Sequence, residues 1–151
     1  MSSANAINGV IDALLARVAT NYAALGLTAA TSVEERDEDP KYINDKTCYV
    51  IPLAEGKDTI KMYSGGEEHS FPITITGFYK YADITTGLRP VRTYGYNALD
   101  LFTGNTGNIV SSDGLHGAEA TDATLEVYYW RNSDFVMYAW SLQLSIKQVD
   151  C

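Results

Sequence analysis

Residues 135–146 read FVMYAWSLQLSI, and apolar and polar side chains alternate along most of this stretch. One set of alternate positions is apolar throughout: Val136, Tyr138, Trp140, Leu142, Leu144 and Ile146. The other set carries Ser141, Gln143 and Ser145 toward its C-terminal end. A period of two predicts a β-strand with one face in the core, and the stretch is about twice as long as a typical strand.

A second strand-like segment precedes this one. Residues 123–130 read ATLEVYYW, and the turn-forming cluster Arg131-Asn132-Ser133-Asp134 separates the two segments. Turn formers between two such segments predict a long C-terminal β-hairpin. A chain that builds a long one-sided hairpin without a recognisable catalytic cluster is more consistent with assembly than with a chemical reaction.

The remaining patterns complete one α+β domain spanning residues 1–151. Apolar spacing predicts helices at 4–26 and 88–102. Strands are predicted at 48–53, 59–63 and 71–81, with turns at 54–58 and 64–68 between them. Long loops are predicted near 28–47 and 103–122. Strands segregated around two helices predict a mostly antiparallel sheet with an N-terminal and a central helix on one face.

Composition restricts the partners of this chain. Its 151 residues are 46% hydrophobic and carry a net charge of −8, which disfavours tight binding to nucleic acid or to an anionic membrane. No apolar run approaches the ~18 residues of a membrane-spanning helix, and the N-terminal residues predict no signal peptide. Cys48 and Cys151 are expected to be free thiols in a reducing compartment.

No motif for catalysis or for cofactor binding stands out in the sequence. His69 and His116 are isolated and are expected to be solvated loop residues. Asn105, Asn108 and Asp113 offer oxygen ligands, but their spacing does not match a calcium-binding loop. The prediction is therefore no enzyme activity, no catalytic residue, no cofactor and no metal site.

An acidic cluster lies within the first long loop. Its members are Glu34, Glu35, Asp37, Glu38 and Asp39. Closely spaced acids repel one another and stay solvated, so a plain connector is one interpretation. The other is an acidic surface that faces the lumen or an axial surface of a ring.

The order of elements resembles that of the tail terminator (tail completion) proteins of long-tailed bacteriophages. In that family an N-terminal helix precedes a strand ending in a Pro-containing turn, followed by a meander strand, a second helix and a long C-terminal hairpin. The stretches that match this order here are Ile7–Leu25, Cys48–Leu53, Phe71–Tyr81, Leu88–Phe102 and Leu125–Ile146. The acidic connector and the loop at 103–118 are longer than a minimal member of the family needs.

The resemblance implies a structural virion protein of the tail or neck, made in the host cytoplasm. Such proteins form rings, commonly hexamers, that cap the tail tube and meet the head connector. DNA would pass through the ring without specific binding, and acidic residues around a lumen repel its phosphates. No membrane partner is implied.

Two other classes of function remain open from the sequence. Other head–tail joining proteins and tail tube proteins share parts of this element order. A cytoplasmic α+β module that binds a ligand on an aromatic sheet face is also compatible with the Tyr-rich strands. Native mass spectrometry separates a ring subunit from a monomeric module.

Overall fold

The computed structural model describes residues 3–36, 43–52, 59–63, 66–82, 87–102, 119–131 and 134–150. These residues form the expected α+β fold, with two helices and a mostly antiparallel six-stranded sheet. The helices are α1 (Ser3–Thr20) and α2 (Leu88–Phe102). The strands are β1 (Val33–Glu35), β2 (Thr47–Pro52), β3 (Thr59–Tyr63), β4 (Gly66–Tyr81), β5 (Glu119–Arg131) and β6 (Val136–Asp150).

The sheet is built around β4. Its strand order is β1-β2-β4-β6-β5, and β3 pairs with the first part of β4 on the side where β2 also lies. Every pair is antiparallel except β1 with β2. Among the described strands, β5 therefore forms one edge of the sheet, and β1 and β3 form the other.

The C-terminal hairpin is confirmed and is longer than the sequence pattern predicts. β5 and β6 pair in register, with Val127 opposite Trp140, and a bulge interrupts the ladder between Ala120 and Asp122. β6 also pairs along the whole of β4. The strand with the cleanest alternation therefore lies in the middle of the sheet, where one of its faces is covered by helices.

Both helices pack on one side of the sheet, here called the helix face. The core between the helices and the sheet contains Val10, Leu14 and Val18 of α1, Val91, Ala98 and Phe102 of α2, and the apolar alternate positions of β4 and β6. On the opposite side, here called the distal face, a smaller buried cluster consists of Tyr49, Ile51, Phe78, Met137 and Ala139. The sequence pattern predicts the first core but not the second.

Trp140 lies at the centre of the helix-face core. A Cβ atom added to Gly77 of β4 would come within 2.4 Å of the Trp140 indole, and one added to Gly95 of α2 would come within 2.9 Å of the Trp140 Cβ. The two glycines thus make room for the largest side chain of the core. Trp140 Nε1 donates a hydrogen bond of 2.8 Å to Tyr79 Oη, which donates to the carbonyl of Leu25. This chain of bonds ties β6 and β4 to the segment that follows α1.

The N-terminal helix is shorter than the 4–26 range that its apolar pattern predicts. The α-helix ends at Thr20. Residues 21–26 continue as tight turns, in which backbone hydrogen bonds join residues three apart, such as Leu25 N–H to Tyr22 O. Gly26 ends the segment with a φ of 68°, a conformation that glycine adopts without strain. Buried Leu25 keeps the apolar pattern running beyond the end of the helix proper.

Two predicted loops contain strand residues. In the predicted 28–47 loop, a single 3₁₀ turn (Ala30–Ser32) leads into β1, which pairs in parallel with β2. The predicted turn around Gly66 instead begins β4, because pairing with both β3 and β6 holds residues 66–70 extended. Strand residues in such polar stretches are held extended by pairing with neighbouring strands rather than by local propensity.

His69 also departs from expectation. It lies in β4 rather than in a loop, and its side chain is fully buried. It continues the alternation of Phe71, Ile73 and Ile75, so it is a core residue at the end of the helix-face stripe. His116 and the Asn105, Asn108 and Asp113 set lie outside the described residues.

Cys48 is a free cysteine, as expected, and it is buried on β2. Burial raises the pKa of its thiol far above the ordinary value, so the reactive thiolate is suppressed at neutral pH. In a Cys151→Ser variant, we expect a thiol reagent at pH 8 to modify Cys48 only after urea unfolds the chain. Rapid modification of the native protein would show instead that β2 opens readily.

Candidate assembly surfaces

The outer edge of β5 is the first candidate surface. β5 is 13 residues long, and no described strand pairs with its outer side. A bare strand edge is a ready template for pairing with another chain, and proteins often shield it with charges or bulges. Here the bulge lies only at the start of the strand, between Ala120 and Asp122. Along the regular part of the edge Glu126, Tyr129 and Trp130 are exposed, so within the described residues this edge is available to a partner strand.

The second candidate is an aromatic cluster at the end of the distal face nearest the hairpin turn. Trp130 stacks on Tyr128 with ring centres 5.9 Å apart and contacts the edge of Phe78 at 6.1 Å. Phe78 in turn contacts Tyr49 at 5.8 Å. Trp130 is 37% exposed, so this cluster is partly accessible. Tyr and Trp are enriched at protein interfaces because they combine a large apolar area with a polar tip.

The half of the distal face farther from the hairpin turn is mostly polar, with Thr74, Thr124 and Gln143 side by side. A cavity of about 200 Å³ lies there, lined by Pro72, Thr74, Asp122, Thr124, Gln143, Leu144 and Ser145. Typical ligand sites are larger, at about 300–1,000 Å³, and mainly apolar. This cavity also lies away from the aromatic cluster, so the two features do not combine into one ligand site.

The third candidate is the β3 edge, on the opposite side of the sheet from β5. Ile60 is 47% exposed and Met62 is 79% exposed, and both lie on the helix face because they pair opposite His69 and Glu67. Between them, exposed Lys61 lies on the distal face opposite Glu68. Two neighbouring apolar side chains in water at a strand edge mark an interaction surface. The sequence pattern predicts this strand but not its exposed apolar surface, although the alternation of Ile60, Lys61 and Met62 indicates that two apolar side chains share one face.

The acidic cluster is only partly visible. Glu34 and Glu35 are exposed residues of β1, and Asp37, Glu38 and Asp39 lie outside the described residues. Glu34 Oε2 forms a salt bridge of 2.7 Å with Arg36 Nη2, and both side chains are about half exposed. Because successive strand residues point to opposite faces, Glu34 and Glu35 both face a channel only if the β1 edge is turned toward it. That placement stays a prediction.

The described residues show no grouping typical of a reaction centre. Within the described ranges, no three His, Cys, Asp or Glu side chains gather to hold a metal ion. The strongly raised pKa values belong to Cys48 and Tyr79, both shifted mainly by burial in the core. Neither helix in this part of the chain is long and apolar enough to cross a membrane.

Comparison with known proteins adds little to this geometry. No protein-family model matches the chain, and no curated protein matches it. One similar chain belongs to the solved structure of the virion of a native gene transfer agent particle. The alignment covers 83% of this chain and 84% of that chain, with a TM-score of 0.41 and 15% identity. Similarity at this level carries no argument about function, which rests on the surfaces described above.

Proposed function

We propose that this protein is a structural subunit of a phage-like virion. In the finer form of the proposal it is a tail terminator or neck protein, whose ring, of about six copies, caps the tail tube and joins it to the head connector. The observation that carries the proposal is a pair of strand edges that no other described strand covers, β5 on one side of the sheet and the apolar β3 on the other. Different surfaces at the two edges favour head-to-tail contacts, which close into rings when the rotation allows it.

The charge of the chain supports the same function. A net charge of −8 per subunit is multiplied by the number of copies in a ring. Exposed Glu35 and Glu34 contribute to it on a sheet edge. Negative charge around a channel keeps DNA mobile because it repels phosphates over the ~8 Å Debye length of physiological salt.

Two alternatives share some of these features. Another head–tail joining protein or a tail tube protein would also use open edges and form rings, and the position of the protein in the particle distinguishes these from a terminator. A ligand-binding module would use the aromatic cluster around Trp130. The small polar cavity on the other half of that face offers this module no support.

The test of assembly compares two tyrosines of similar exposure. Tyr129, at the β5 edge, is 49% exposed, and Tyr96, on α2, is 54% exposed. We expect the wild-type protein to sediment as a concentration-dependent ring at micromolar concentration, alone or on purified tail tubes. Tyr129→Ser should weaken the ring, because it removes apolar area at the joint, whereas Tyr96→Ser should leave it unchanged.

Native mass spectrometry and negative-stain electron microscopy read out ring size and closure. Immunogold labelling of intact particles then distinguishes a terminator from a tube protein by its position. A strictly monomeric protein that also fails to bind purified tail tubes would remove the proposal.

A further inference from the structure

The two open edges have compatible directions. β3 runs antiparallel to β4, β4 to β6, and β6 to β5, so β3 and β5 of one chain run antiparallel to each other. A second copy placed beside the first in the same orientation therefore brings its β3 against β5 as an antiparallel pair. Antiparallel pairing is the arrangement of β2, β3, β4, β5 and β6 within one copy, so this joint would continue the same hydrogen-bond pattern into the next copy.

We propose that β5 of one copy pairs with β3 of the next, with Glu126 directly opposite Lys61. The inference rests on the proposed ring and specifies which edges form it. In this register Leu125 lies opposite Met62, and Val127 lies opposite Ile60. Residues that face each other across an antiparallel pair project to the same face, so the pairing joins apolar side chains on the helix face and opposite charges on the distal face.

The exposed side chains favour this register over its neighbours. Shifting Lys61 by two residues places it opposite Thr124 or Tyr128, neither of which carries a charge. Shifting it farther, to Asp122, places the pair at the bulge, where the ladder is irregular. The pairing of Lys61 with Glu126 is thus the one within the regular edge that opposes a cation to an anion.

The same contact extends a row of alternating charges. Within one chain, Lys147 Nζ lies 3.8 Å from Glu68 Oε2, and Glu68 pairs opposite Lys61 on the distal face. Glu126 of the neighbouring copy adds the next negative charge to this row. Met62 and Ile60, exposed in the single chain, gain apolar partners in half-buried Leu125 and Val127.

Charge also explains why β3, rather than β1, is the partner of β5. Both strands lie on the same side of β4 and run antiparallel to β5, so direction does not separate them. β1 has only three residues, and two of them are Glu34 and Glu35. Glu34 is the distal-face residue of β1, beside Tyr49, so Glu126 would meet a like charge there instead of a cation. Like charges directly opposite each other destabilise a strand pair.

The register also sets a stagger between copies. Glu126 lies level with Thr76 of its own β4, and Lys61 lies level with Glu68, so successive copies shift along the strand direction by about eight residues. At ~3.3 Å per residue this is ~26 Å. Closed sheets need such a stagger because their strands tilt relative to the ring axis.

Disulfide trapping tests the pairing in the assembled protein. In a Cys151→Ser background, we expect Lys61→Cys combined with Glu126→Cys to give a ladder of covalent oligomers under mild oxidation. Each single variant should stay uncrosslinked, because one copy then lacks the second thiol. Two control pairs report alternative contacts: Lys61→Cys with Tyr128→Cys for a shifted register, and Glu34→Cys with Glu126→Cys for a β1 joint.

The outcomes separate this inference from the proposed function. A ring that crosslinks through residues 61 and 126 supports both. A ring that crosslinks through a control pair, or through neither, overturns the β3–β5 joint and leaves the ring intact. A protein that forms no ring alone or on tail tubes overturns both.

Charge reversal provides a second readout that does not depend on thiol geometry. Lys61→Glu and Glu126→Lys should each weaken association by about 1.5- to 5-fold per contact, the range of exposed ion pairs, and the double variant should restore it. Arg92→Glu, the same charge change on the exposed surface of α2, should leave association unchanged. Equal losses in the single and double variants would contradict the pairing.

Discussion

Trp140→Ala is expected to lower the free energy of unfolding by about 3–5 kcal/mol. The side chain is fully buried between Gly77 and Gly95, so neighbouring backbone cannot easily collapse into the space it leaves. The variant also loses the hydrogen bond from the indole to Tyr79. A loss of this size is a large part of the ~5–15 kcal/mol that stabilises a typical domain. Equilibrium urea unfolding of the two proteins measures it.

The same hairpin offers a matched control. Trp130 is 37% exposed and lies on the distal face, opposite Met137, so it is not part of the helix-face core. Trp130→Ala should therefore cost clearly less than Trp140→Ala, while Leu142→Ala, at another fully buried position, should cost about 2–5 kcal/mol. A loss below about 1 kcal/mol for both Trp140→Ala and Leu142→Ala, well under the range for core truncations, would place this face in water or against a partner.

Changing Glu34, Glu35, Asp37, Glu38 and Asp39 together to Lys is expected to give the assembled ring a strong, salt-sensitive affinity for DNA. Glu34 and Glu35 are exposed, so their replacement should leave folding nearly intact. New cations beside a DNA channel displace counterions from phosphates, and six to ten such contacts make affinity fall about 10³- to 10⁵-fold between 50 and 200 mM salt. Fluorescence anisotropy across a salt series measures the affinity, and infectivity reports the passage of DNA.

Two double variants separate the effect of the position of the charge from the effect of net charge. Glu34→Lys with Glu35→Lys adds the same charge as Asp12→Lys with Asp100→Lys, and all four acids are exposed. Only the first pair should create DNA affinity if the β1 edge faces the lumen or an axial surface. The proposal for this edge fails if the two pairs behave alike, or if the five-residue variant unfolds.

The elements with strong periodicity were predictable because one contact surface dominates each of them. The central helix, Leu88–Phe102, has the predicted bounds, since Pro90 is tolerated only in a first turn. β4 shows the predicted alternation, but it begins at Gly66 rather than near Phe71. Its first residues are polar or small, so only pairing with β3 and β6 makes them a strand.

The candidate surfaces were predictable to different degrees. Solvent exposure of the acidic residues was expected from their mutual repulsion, and it is confirmed for Glu34 and Glu35. Their place in β1 was not, because that strand depends on a parallel contact with Cys48–Val50. The exposure of Met62 could not be predicted either, because an alternating strand has the same local sequence pattern whether or not a helix covers its apolar side.

The sequence by itself determined the α+β class, the C-terminal hairpin and the apolar face of β6, because a period of two along Val136–Ile146 leaves one buried side for this strand. Only the tertiary structure decided which strands became edges. Edge position depends on the order of strands across the sheet, which is set by contacts between residues far apart in the chain. Among the described strands, that order leaves β5 and β3 as edges on opposite sides, and the tertiary structure also buries His69.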